Sequence, residues 1–175
     1  RLGMKRTTFR NASGLPNRRQ LSTAADMARL AMAHQRDFPQ YYHYFSTTEF
    51  KFRGTVMRTH NNLLLNYAGT EGMKTGYIRA SGFNLVTAAN RDGHRLIGVV
   101  FGGRTARSRD AHMRRLLDTS FRRIENPAFV AGYVRPSAVN RASAHDLPWR
   151  FAHGPQQSER RVCLVPETTG AEFFF

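Results

Sequence analysis

The residues of this chain best suited to chemistry lie in Gly72-Met73-Lys74-Thr75-Gly76-Tyr77. The Lys74 ammonium supplies positive potential and the Thr75 hydroxyl a directed hydrogen bond, while Gly76 lets a second backbone come close. Together they suit recognition of a carboxylate-bearing substrate. Other arrangements offer less. The seven His residues show no metal-ligand spacing and no HExxH occurs; the single Cys163 can build neither a zinc site nor an internal disulfide. No metal site is expected. Gly102-Gly103 is no phosphate loop, since no G-x-x-x-x-G-K is present.

The elements that must position this stretch can be read in order. Residues 1–21 are rich in turn formers and read as loop. Thr23-Ala24-Ala25-Asp26 has capping-box spacing, with Asp in place of Glu, and Asp26 suits the positive end of a helix dipole. Met27, Leu30, Ala31 and His34 then form an apolar stripe, predicting a helix to about Arg36 that stops before Pro39. Between Pro39 and Phe52 lie Tyr41, Tyr42, Tyr44, Phe45, Phe50 and Phe52. Such rings could stack on bases or sugars, but the expectation is a surface segment whose rings pack back onto the core. Glu49 to Thr59 is expected to hold a strand, His60-Asn61-Asn62 a turn, and Leu63-Leu64-Leu65 a return to the core.

From Lys74 the pattern sharpens. Phe83 to Ala89 and Arg95 to Phe101 read as strands joined by a hairpin at Asp92-Gly93. Leu96 to Phe101 is apolar on both faces, as a central strand covered by helices on both sides would be. With the Lys74 strand these make an antiparallel meander. Gly102-Gly103 is expected to break the last strand. A helix capped by Ser108 should follow, burying Met113, Leu116, Leu117, Phe121 and Ile124 and turning Arg109, Arg114, Arg115, Arg122 and Arg123 outward. Residues 126–175 show no sustained periodicity and read as linker or poorly ordered tail.

Composition, at 41% hydrophobic and 11% aromatic, is that of a globular protein with one real core. No apolar run approaches the ~20 residues of a membrane span. The net charge is +15, and 22 of the 27 basic residues fall in 1–125, all Arg except Lys5, Lys51 and Lys74. Such charge attracts nucleic acid, anionic lipid or an acidic polymer, or simply keeps exposed faces soluble. The chain starts at Arg1 with neither Met nor signal peptide, so a processed product or fragment is expected.

Over residues 2–125 the chain resembles the serine-type D-alanyl-D-alanine carboxypeptidases, the low-molecular-weight penicillin-binding proteins. The resemblance rests on Leu2-Gly3-Met4, Thr8-Phe9-x-Asn11, Gly14-Leu15 and Ser22-Thr23-Ala24-Ala25-Asp26-Met27-Ala28. It continues through Gly72 to Gly76, Ser81-Gly82-Phe83-Asn84-Leu85-Val86, Arg91-Asp92-Gly93 and Gly102-Gly103-Arg104-Thr105. It implies a β-lactamase/transpeptidase-like α/β (α+β) fold, an antiparallel sheet flanked by helices. Residues 1–125 would be the C-terminal part of the catalytic domain. The family cleaves the terminal D-Ala from peptidoglycan stem peptides through a serine ester, without cofactor, in the periplasm or at the outer face of the cytoplasmic membrane. Lys74 would hold the site's positive potential and Thr75 would bind the terminal carboxylate. Gly76 would admit the substrate backbone, the Tyr77 N–H would form half of the oxyanion hole, and Arg104 would add charge beside the carboxylate.

The departures matter equally. The three Lys residues would need Ser at positions 2, 48 or 71 to complete Ser-x-x-Lys; these are Leu2, Thr48 and Glu71. No Ser is followed two residues on by Asn. The expectation is an incomplete domain, inactive alone, whose full-length form β-lactams would acylate at a serine outside this chain. Tyr77 stands where some members carry His, so that His role does not transfer. Two alternatives remain. One is a non-catalytic remnant that binds muropeptide or a partner; the other is an Arg-rich nucleic-acid-binding module, with nucleic acid not expected under the main reading. The charge also leaves room for peripheral association with a membrane.

Overall fold

The computed structural model describes residues 1–126 and the backbone of Val162–Thr168 and Ala171–Glu172. Its centre is an antiparallel meander of β3 (Thr70–Ile78), β4 (Gly82–Arg91) and β5 (His94–Gly103). The β4–β5 turn is tight because Asp92 and Gly93 both take positive φ, 49° and 80°, which matches the twist of the flanking strands.

Alternation along β4 and β5 decides what covers each face. Val86, Ala88, Ile97 and Val99 point to one side, where helix α1 (Ala24–Asp37) packs through Ala24, Ala25, Ala28 and Ala31. Leu85, Ala89, Leu96 and Val100 point to the other, against Met113, Leu117 and Phe121 of α3 (Ala106–Ile124). The sheet is therefore flanked by helices on both faces, as the apolar run in β5 requires.

Helix α1 corrects the expected stripe. Its buried face is alanine-rich, with Met27, Leu30 and His34 only partly covered. Small side chains let the helix axis approach the sheet more closely than the larger ones would. Only half of the expected capping box forms: Thr23 accepts the Asp26 N–H at 3.2 Å. The buried Asp26 carboxylate instead ties down the N-terminal loop, accepting from Arg6 N at 3.0 Å and Thr7 Oγ1 at 2.7 Å, and pairs with Arg29 at 2.7 Å.

The aromatic segment divides. In the 3-10 helix Pro39–Ser46, Tyr42 and Phe45 pack onto the α1-side core, while Tyr41 and Tyr44 are exposed. The single strand expected next is a two-stranded ribbon, β1 (Glu49–Phe52) and β2 (Thr55–Arg58), exposed throughout and turned by Arg53-Gly54 at positive φ. The turn expected at His60 to Asn62 runs into helix α2 (Asn62–Asn66), of which Leu63 is buried and Leu65 exposed.

Three further expectations change at the far end of the meander. Gly102-Gly103 does not end β5, which runs to Gly103 through a bulge opposite Phe83 to Leu85. Ser108 is not the cap of α3. Thr105 is, in a reciprocal capping box where Thr105 Oγ1 accepts Ser108 N–H at 3.0 Å and Ser108 Oγ accepts Thr105 N–H at 3.1 Å. Arg109 does not face outward; it is 3% exposed and paired with Asp110 at 2.7 Å.

Within the stretch read as linker or tail, β6 (Val162–Thr168) runs antiparallel to β5 and β7 (Ala171–Glu172) antiparallel to β6. They extend the sheet to the order β3-β4-β5-β6-β7. The rest of that stretch lies outside the described residues.

Candidate functional site: the open edge of β3

Strand β3 has β4 on one side and, among the described residues, no strand on the other. Its two halves differ. At Gly72 the segment around Phe45 presses on the backbone: a Cβ there would lie 2.7 Å from Phe45 Cβ and 2.8 Å from its carbonyl oxygen. The Gly72 carbonyl accepts the buried Thr87 hydroxyl at 2.6 Å. Glu71 accepts from Arg95 Nε and Nη2, at 2.7 and 2.9 Å, and from the Tyr42 hydroxyl at 3.3 Å. This half is anchored by bidentate and buried bonds.

From Lys74 onward the strand is open. Lys74, Gly76 and Tyr77 are exposed and Thr75 is half-buried. A Cβ added at Gly76 would meet nothing within 4 Å. Packing inside the chain therefore does not require glycine at 76, whereas close approach from outside would. The Lys74 ammonium donates to the Thr75 carbonyl at 2.7 Å. Cross-strand register sets Lys74 beside Val86 and Thr75 beside Leu85, residues of the two opposite cores, so the cation and the hydroxyl leave from opposite faces of one edge. The exposed Tyr77 ring rests on Phe83, with centroids 4.4 Å apart.

Arg104 joins this end of the sheet by register. Tyr77 pairs with Phe83, and Phe83 with Gly103, the residue before Arg104. Two strand spacings put Gly103 roughly 10 Å from Tyr77, a gap that a long cationic side chain and a small anion can share. The rim so defined runs from Lys74, Thr75, Gly76 and Tyr77 on the open edge of β3 across the end of the sheet to the exposed Arg104, two strands away.

Three supports of this rim escape a reading by residue type. Asn84, opposite Gly76, uses its side chain to bind the β3–β4 turn and the bulged end of β5. Buried Arg109 donates to the Asn84 carbonyl at 3.3 Å. Thr105 caps α3 directly after Arg104. Asn84 and Thr105 stand in stretches that carry the resemblance but have no role assigned there; the spacing of Thr105 and Ser108 is the signal for the cap.

Away from the rim, Tyr67 donates to Asp118 at 2.6 Å under the guanidinium of Arg91, 4.6 Å from the ring centroid. Burial, then this hydrogen bond, holds the phenol well above its ordinary pKa. Among the described residues no group of three or more His, Cys, Asp or Glu could hold a metal ion, and no helix is long and apolar enough to cross a membrane.

Comparison with known proteins bears on the same residues. The family model for D-alanyl-D-alanine carboxypeptidase matches residues 1–105. The chain is 37% identical over 149 residues to the D-alanyl-D-alanine carboxypeptidase DacA of Escherichia coli, covering 85% of this chain and 35% of that protein. It is 33% identical over 137 residues to DacF of Bacillus subtilis, covering 71% and 33%. Among solved structures, penicillin binding protein 5 from Haemophilus influenzae superposes with a TM-score of 0.67 at 35% identity, over 69% of this chain and 36% of that one. A Listeria monocytogenes penicillin-binding protein in a cefotaxime-bound form gives 0.63 at 30%, over 69% and 50%. The chain thus spans about a third of the length of the curated relatives it matches.

Proposed function

The chain belongs to the D-alanyl-D-alanine carboxypeptidase family, and from that premise we propose that it supplies the substrate-binding strand of such an enzyme. The substrate is a peptidoglycan stem peptide ending in D-Ala-D-Ala, and the place of action is the bacterial envelope, in the periplasm or at the outer face of the cytoplasmic membrane. The carrying observation is the open half of β3, where Lys74, Gly76 and Tyr77 are exposed, Thr75 is half-buried and a Cβ at Gly76 would meet nothing within 4 Å. An extended peptide laid along this edge gains main-chain hydrogen bonds as one more antiparallel strand. Lys74 keeps the site positive and the Thr75 hydroxyl donates to the terminal carboxylate. The Tyr77 N–H gives one of the two donors that a developing oxyanion needs, and Arg104 adds charge on the carboxylate side.

Acyl transfer itself needs a serine and its activating lysine. No Ser-x-x-Lys or Ser-x-Asn occurs in the 175 residues, which favours a second reading of this chain taken alone: a muropeptide-binding unit without turnover. β-Lactams, which imitate the acyl-D-Ala-D-Ala terminus, would acylate a serine outside it. Residues 1–125 are the catalytic-domain portion under both readings.

A chimera tests the proposal. Residues 1–125 of this chain replace the matching segment of Escherichia coli DacA, and the product is assayed for D-Ala release and penicillin acylation. Both activities are expected, and Lys74→Ala or Thr75→Val should lower each at least 100-fold. A folded chimera whose acylation ignores both substitutions would overturn the assignment.

A further inference from the structure

We propose that Asn84 is a positioning residue that sets the separation between the Thr75–Tyr77 edge and Arg104. The inference rests on the proposed substrate-binding role of that rim. Asn84 lies directly opposite Gly76 in the β3–β4 pairing. Its side chain makes three bonds in two directions. The amide nitrogen donates to Ser81 Oγ at 2.7 Å and to the Gly82 carbonyl at 3.2 Å, closing the β3–β4 turn. The amide oxygen accepts the Gly102 N–H at 3.1 Å, two residues before Arg104.

Gly102 sits at φ 78°, in the bulge where β5 departs from regular register with β4. A bulge leaves local ladder bonds unmade and redirects the strand, so the Asn84 amide supplies what the ladder does not. The Asn84 carbonyl is held in turn by the buried Arg109 guanidinium at 3.3 Å. That guanidinium is fixed by Asp110, which also accepts Asn62 Nδ2 at 3.1 Å. Gly103 must be small for this arrangement, because a Cβ there would lie 2.8 Å from Arg109 Cβ.

One residue therefore ties together the β3–β4 turn, the end of β5 and the start of α3. These segments carry Tyr77 on one side and Arg104 on the other. Asparagine fits because the node needs two N–H donors and an acceptor on one short side chain. Asp keeps the acceptor for Gly102 and can receive the Ser81 hydroxyl; Ala keeps neither. Asn84 itself need not touch substrate.

The test is amide NMR titration of the 175-residue chain with N-acetyl-L-Lys-D-Ala-D-Ala. Asn84→Ala should weaken binding about tenfold, speed hydrogen exchange at the Gly102 amide, and leave the core amides of β5 protected. Asn84→Asp should restore Gly102 protection and bring affinity to within about threefold of the parent. Because the effect runs through Arg104, Asn84→Ala should cost less than twofold in an Arg104→Ala background. If Asn84→Ala leaves affinity unchanged while Thr75→Val and Arg104→Ala weaken it, this inference fails and the rim assignment stands. The same loss from Asn84→Ala in both backgrounds also overturns it, showing a general structural role. If none of the substitutions matters, the rim assignment fails first.

Discussion

Gly76 is a glycine that packing inside the chain does not require. Its added Cβ would meet nothing within 4 Å, so Gly76→Ala should change stability by no more than about 1 kcal/mol. A substrate strand passing over that position should nevertheless lose affinity, by about tenfold or more, measured alongside the melting temperature. Gly72 offers the opposite case. Its φ is 143° and its Cβ would strike the Phe45 backbone, so Gly72→Ala should lower the melting temperature clearly. Of these two glycines of one motif, only Gly72 is required by packing inside the fold. Lys74 and Thr75 draw attention in the sequence because cation, hydroxyl and glycine stand consecutively. Asn84 and Arg109 do not, because their partners are backbone groups brought near by the β5 bulge, which no local pattern announces.

Elements carry the rim by packing on both faces of the meander, and their tolerances differ. Ala28 is fully buried where α1 meets the sheet, so Ala28→Leu should overpack that contact and cost about 1–3 kcal/mol. Leu117→Ala in α3 should cost about 2–5 kcal/mol by leaving a cavity; chemical denaturation measures both. The Tyr67–Asp118 bond adds a pH signature. A phenol whose folded pKa is raised above the ordinary tyrosine value of about 10 contributes stability that is fully present below that value and lost as pH rises beyond it. Melting temperature should therefore fall as pH rises from about 10 to about 12, and Tyr67→Phe should reduce that fall. The strands of the meander, their hairpin and α3 were legible from periodicity and the Asp92-Gly93 turn. The alanine face of α1 was not, since hydrophobicity favoured the larger Met27 and Leu30 and could not weigh close approach. Nor was β6, whose partner β5 lies far away in sequence, nor β7, which pairs with β6.

For the whole molecule the net charge of +15 predicts attraction to any anion, so affinity alone would not identify the ligand. Binding along β3 should instead depend on the ligand's chirality and terminal carboxylate, with only a moderate salt dependence. Counterion release from a nucleic-acid complex would give a steep one. The most direct measurement is the backbone amide titration of the 175-residue chain with N-acetyl-L-Lys-D-Ala-D-Ala, repeated with its L-Ala-L-Ala counterpart and with the C-terminal amide. Shifts should concentrate at Lys74 to Tyr77 and near Arg104 with the D,D-carboxylate, and largely vanish with the other two. Equal shifts with all three peptides, or shifts that leave β3 untouched, would contradict the account.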